Sequence, residues 1–150
     1  DRLFSMFSYT GMGVAGDEVK ATVDALAYSD NALLVLKELP AILEGATLMR
    51  TANGDRGYWA NDYIVATAGE ALTVFVAHDA RVPRPGWLAA YKPLGESVMV
   101  NNTPLKLYSM RLEAGETLRI PGNADQGSAP RSALNLILFA RPDRLQANAR

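Results

Sequence analysis

The chain has 150 residues, 15 basic and 16 acidic, giving a net charge of −1, and it contains no cysteine. That length fits one domain able to bury roughly 70% of its unfolded surface. The balance of charge argues against nucleic-acid or anionic-membrane partners, and the lack of thiols excludes disulfides, thiolate nucleophiles and cysteine-ligated metals. No apolar run approaches the ~20 residues of a membrane-spanning helix. A start at Asp1 instead of methionine points to removal of a preceding segment.

The chain opens with an apolar, β-prone stretch, Leu3, Phe4, Met6, Phe7 and Tyr9. It runs into Gly11-Met12-Gly13-Val14-Ala15-Gly16, which spells G-x-G-x-x-G, the form of a dinucleotide-binding loop. Such a loop needs free N–H groups and a positive helix end facing the pyrophosphate. Asp17 and Glu18 occupy that position and repel phosphate, and the later sequence lacks the alternating helices of a wound sheet. The glycines therefore read as a hinge. Residues 17–27 fit a helix face through Val19, Val23 and Leu26, and equally an alternating strand, so periodicity leaves both open. Lys37–Leu43 suits a short helical turn with Pro40 near its start.

From residue 46 onward, short apolar runs alternate with Gly, Pro, Asn and Asp. Strands are predicted at Ala46–Arg50, Tyr63–Ala68, Leu72–Asp79, Ser97–Val100, Leu105–Leu112, Glu116–Ile120 and Ala133–Ala140. Turns are predicted at Ala52-Asn53-Gly54-Asp55, Ala68-Gly69-Glu70, Pro83-Arg84-Pro85-Gly86, Asn101-Asn102-Thr103-Pro104, Glu113-Ala114-Gly115-Glu116 and Pro121-Gly122-Asn123. This punctuation predicts an all-β, two-sheet β-sandwich of jelly-roll-like kind, with the N-terminal apolar strand on its Gly-rich hinge. Leu72–Asp79 is apolar on both faces, as a covered central strand should be. The organisation expected is a strand and hinge over residues 1–18, a sandwich over 19–142 and a tail over 143–150.

Several motifs recur in order. Tyr28 and Asp30 precede Leu39-Pro40. Then come Leu43, Gly45, Ala46, Arg50, Thr51, Ala52, Asn53 and Asp55, in the form L-x-G-A-x-x-x-R-T-A-N-x-D. Val74, Val76, Ala77, Asp79 and Arg81 follow, with Trp87-Leu88, Ala114-Gly115 and Gly122-Asn123. Over about residues 19–142 this resembles an all-β module of bacterial secreted and cell-surface proteins. It is similar to non-catalytic carbohydrate-binding modules that accompany polysaccharide-degrading enzymes. The resemblance implies a polysaccharide or other cell-surface glycan as partner, an extracellular or cell-surface location, and no catalysis.

The residues themselves also argue against an enzyme. His78 is the sole histidine, and on a strand its neighbour Asp79 faces the other way, so the two cannot form a dyad. Paired acids for glycoside hydrolysis cannot be picked out from spacing. No cofactor is expected. Calcium on Asn53, Asp55, Asn61, Asp62, Asn123 and Asp125 stays open, since these residues also make turns. The best sugar contact is Tyr58 and Trp59 in ANGDRGYWANDY, where rings can stack on a sugar face while Asp55, Arg56 and Asn61 bond hydroxyls. Trp59 folding back over the sandwich end, or filling a subunit contact, is the alternative. Asp79 and Arg81 are expected to form a structural ion pair pinning the Pro-rich loop, with Trp87 as a packing anchor.

A second reading makes the chain a structural subunit of an extracellular filament. Leu3, Phe4, Met6, Phe7 and Tyr9 would then complete the sheet of another copy by strand donation, or fold back as an edge strand of their own chain.

Overall fold

A computed structural model describes residues 4–9, 18–28, 34–49, 59–81, 84–122 and 136–140. The described residues hold strands β1 (Phe4–Tyr9), β2 (Glu18–Lys20), β3 (Leu36–Glu38), β4 (Thr47–Met49), β5 (Trp59–Ala68), β6 (Leu72–Asp79), β7 (Lys92–Val100), β8 (Thr103–Leu112), β9 (Thr117–Gly122) and β10 (Leu136–Ala140). They form two sheets, in the orders β1-β5-β9 and β2-β4-β10-β6-β8-β7-β3, and every pairing is antiparallel. The only helical pieces among the described residues are 3-10 turns at Ala41–Leu43 and Gly86–Ala90. The molecule is the all-β sandwich expected.

The large sheet is organised about β6, LTVFVAHD, a run of β-branched and aromatic residues without Gly or Pro. Leu72, Val74, Phe75, Val76 and Ala77 are all fully buried, so successive residues on opposite faces are both covered. The small sheet's Ile64, Ala66, Ala68, Leu118 and Ile120 join the same core, as do Ala21, Ala27, Tyr28, Leu43 and Leu88 from the connecting segments. Each fully buried Leu, Val or Phe stabilises the fold by about 1.5–3 kcal/mol.

The chain passes between sheets twice at one corner. Ala68, the last residue of β5, donates its N–H to Glu116 O (2.9 Å) and accepts the Gly115 N–H (2.8 Å). Gly115 sits at φ +86°, a conformation that favours glycine. A further glycine, Gly95 at φ +74°, lies in a bulge where Pro93 pairs with Tyr108 and Ser97 with Lys106. Breakers at positions 93 and 95 shortened the predicted strand to Ser97–Val100; the bulge absorbs them and β7 runs back to Lys92. Pro93 is tolerated because β3 pairs with β7 only near Val100.

Within the segment where helix and strand stay open, Glu18–Lys20 forms the short strand β2 and a turn follows, with Val23 50% exposed, so no helix face is buried over the described residues 18–27. The helical turn expected over Lys37–Leu43 is shorter: Leu36–Glu38 is drawn into strand β3 by pairing with β7, and only Ala41–Leu43, after Pro40, takes a 3-10 turn. The N-terminal strand pairs in cis: Phe4 lies opposite Ala68 and Tyr9 opposite Ile64, making β1 the edge of the small sheet. Of the two destinations weighed for it, the structure has the intramolecular one, and strand donation finds no support. The Gly-rich hinge and the tail after Ala140 lie outside the described residues.

Gly115→Ala should lower stability by about 1 kcal/mol, because a Cβ there meets open space and only the backbone conformation resists it. Phe75→Ala should cost about 3–5 kcal/mol. Urea denaturation of both variants checks the contrast.

Candidate functional site

The residues that carry chemistry meet where β6 ends. Asp79 is 1% exposed and lies opposite Leu105 in the β6–β8 register. A carboxylate that deep requires hydrogen-bonded partners. The chain supplies one two residues on: the Arg81 backbone N–H donates to Asp79 Oδ1 at 3.0 Å. The guanidinium also folds back, Nε donating to Oδ1 and Oδ2 at 3.0 Å each and Nη2 to Oδ2 at 2.6 Å. The pair is asymmetric, with the Arg81 side chain 55% exposed. Hydrogen bonding to Asp79 holds the guanidinium above its ordinary value, so it stays charged.

Facing this pair is the β7–β8 hairpin turn, Asn101-Asn102. Asn101 takes φ +50°, as the first central residue of such a two-residue loop can. The turn is clasped to the segment leading into β3. Asn101 N–H donates to Val35 O at 3.0 Å, and Val35 N–H donates to Asn101 Oδ1 at 3.1 Å. Between the two held elements lies a pocket of about 330 Å³ lined by Asp79, Ala80, Arg81, Asn102, Thr103 and Pro104. That is the small end of the ~300–1,000 Å³ usual for ligand sites.

Trp87, half-buried, stands edge-on to Tyr91 with ring centroids 5.7 Å apart and planes at 80°. Arg84 lies over the Tyr108 ring, 5.9 Å from its centroid. Among the described residues the buried Tyr91 Oη has no hydrogen-bond partner, and burial pushes the phenol well above its ordinary value. His78 is buried, 2% exposed, one residue before Asp79 in β6.

The sugar-contact residues expected from ANGDRGYWANDY are differently placed. Trp59 and Asn61 belong to β5, where Trp59 pairs with Gly122, instead of to a loop. Aromatic residues favour strands, and a register shift between Trp59 and Ile64 lets β5 extend past the polar residues. Asp55, Arg56 and Tyr58 lie outside the described residues. So do Asn53, Asn123 and Asp125 of the calcium set, while Asp62 is in β5. Among the described residues no cluster of three metal-ligating His, Cys, Asp or Glu occurs. Asn102, Thr103 and Pro104 were legible only as a turn. Bringing them beside Asp79 takes the β6–β8 and β7–β8 registers, which no local pattern encodes.

No protein-family profile matches the chain. Over 129 residues it is 36% identical to a β-glucuronidase from Formosa agariphila, an alignment covering 85% of this chain and 13% of that protein. In structure it resembles a β-glucuronidase from glycoside hydrolase family 2, with a TM-score of 0.87 and 30% identity over 93% of this chain and 15% of the other. A glycoside hydrolase family 138 enzyme targeting pectin rhamnogalacturonan II shares the fold, with a TM-score of 0.60 at 16% identity over 89% of this chain and 17% of that enzyme. The chain thus spans about one-seventh of the β-glucuronidases it matches.

These relatives overturn the expectation that the protein is not an enzyme. That expectation rested on finding neither a dyad nor paired acids within 150 residues. Such a search says nothing of a polypeptide in which these residues are a small part. The resemblance to modules that accompany polysaccharide-degrading enzymes agrees with the relatives' names, whereas a purely binding role is not thereby shown. Among the described residues no helix is long and apolar enough to cross a membrane.

Arg81→Ala should destabilise by about 3–5 kcal/mol, since it strips a buried carboxylate of its guanidinium. Asp79→Ala should cost less, about 1–3 kcal/mol, because the arginine left behind reaches water. Equal losses in chemical denaturation would contradict this asymmetry. Tyr91→Phe should raise stability by about 1 kcal/mol by removing an unsatisfied buried hydroxyl. The raised phenol contributes stability that is fully present below about pH 10 and lost as pH climbs toward the folded value. The wild type should therefore weaken more steeply above pH 10 than Tyr91→Phe, read as melting temperature against pH.

Proposed function

We propose that the chain is a β-sandwich part of a longer, secreted glycoside hydrolase of the β-glucuronidase kind. Within it, the sandwich offers a glycan-contacting surface at the β6 end. The alignment over 85% of the chain with a β-glucuronidase carries this reading, and the 0.87 TM-score to a second one supports it. The physical support is local. A rigid scaffold presents turns at a strand end, the usual place for binding residues. There the pocket combines donors from Arg81, Asn102 and Thr103 with the apolar surfaces of Ala80 and Pro104. Sugars need that mixture, because their hydroxyls and ring oxygens accept hydrogen bonds while their C–H faces seek apolar contact.

Electrophoresis of the chain through gels containing a glucuronic-acid-bearing xylan, compared with gels containing dextran, tests the glycan contact. Retardation by the xylan is the expected result. Unchanged mobility in both gels would remove glycan contact from this account.

A further inference from the structure

We infer that the pocket at the end of β6 is a carboxylate-recognition subsite, in which the free edge of Arg81 binds the carboxylate of a uronic-acid residue while Asn102 and Thr103 bond its hydroxyls. The inference rests on the glycan-contact reading and sharpens it to acidic sugars.

The argument begins with the guanidinium's five N–H groups. Asp79 takes one edge, through Nε and one N–H of Nη2. Both N–H groups of Nη1 and the outer N–H of Nη2 remain. One N–H of Nη1 and the outer N–H of Nη2 form a second parallel fork, the one that matches a carboxylate in bidentate fashion. More than half of the side chain is exposed, so this edge is open to a ligand.

Asp79 is spent inward. At 1% exposure it receives three guanidinium contacts and the Arg81 N–H, so it presents no charge to repel an incoming anion. None of the other lining residues is acidic. A surface arginine needs no buried carboxylate to stay soluble, but an arginine that must hold a fixed fork in place benefits from one. Fixing the side chain before binding lowers the entropy lost on binding. The opposite wall is fixed as well, because Asn101 holds the hairpin to Val35 by two hydrogen bonds.

A second pocket, of about 270 Å³ beside the β7 bulge, provides the contrast. Glu96 and Lys106 both line it, with the buried face of Tyr108, so it offers mixed charge and no open fork. An acidic sugar has reason to choose the Arg81 pocket over this one.

Calorimetric titration of the full chain with a glucuronic-acid oligosaccharide, and with the same oligosaccharide after carboxyl reduction to glucose units, tests the subsite. Wild type should prefer the acidic form by about tenfold or more, the preference shrinking with added salt. Arg81→Lys keeps the charge but loses the fork, and should cut the preference to threefold or less. Arg81→Gln should abolish it. Because Arg81→Gln also exposes the fold to loss of the ion pair, Asn102→Ala, which leaves that pair intact, serves as the folded control. It should weaken both oligosaccharides alike and keep the acidic preference. Equal binding of both forms by wild type, or a preference untouched in Arg81→Lys, overturns the carboxylate subsite while glycan contact stands. Binding of neither form removes the glycan reading itself.

Discussion

A carboxylate buried to 1% exposure at the end of the central strand constrains the molecule most. β6 is covered on both faces, so whatever follows its last apolar residue must leave the core or be neutralised there. The chain does the second. Asp79 is held by the backbone and side chain of Arg81, and that requirement dictates a tight turn immediately after the strand. Because β8 begins beside the end of β6, the Asn101-Asn102 hairpin is brought to the same place. The buried charge thus shapes one wall of the pocket, and strand register brings the other to it.

The arrangement places firmness and openness side by side. Hydrogen bonds spanning 66 residues, from Asn101 to Val35, tie the hairpin to an edge of the sheet. The arginine is tied by a partner two residues away. Neither tie consumes the outer edge of the guanidinium. Structural ion pairs and ligand-binding arginines are usually treated as alternatives, and the sequence alone invites that choice at Asp79 and Arg81. The geometry makes them compatible, since a guanidinium has two forks and the carboxylate needs one.

Much of the fold is legible in the residues. The run LTVFVAHD declares a covered strand, and Gly115 and Asn101-Asn102 mark turns at the right points. The short strand β2 lies where helix and strand both stay open, and β3 lies where a helical turn is expected, because three residues carry too little periodicity; both are held by pairing with distant partners. β7 was cut short at Pro93 and Gly95, whose breaking tendency a bulge absorbs. The site was half legible. Asp79 and Arg81 are neighbours in sequence and could be paired by inspection. Their juxtaposition with Asn102 and Thr103 depends on register across two strand pairs. That the relatives are enzymes lay outside the reach of these residues altogether, and came from proteins about seven times as long.

The most direct test of the central claim is an NMR titration of isotope-labelled chain with a glucuronic-acid oligosaccharide, following backbone amides and the Arg81 Nε and Asn102 side-chain signals. The account predicts saturable shifts at Arg81, Asn102 and Thr103, with the Glu96–Ser97 bulge and Lys106 unmoved. Shifts confined to Glu96, Lys106 and Tyr108, or an unchanged spectrum throughout, would contradict it.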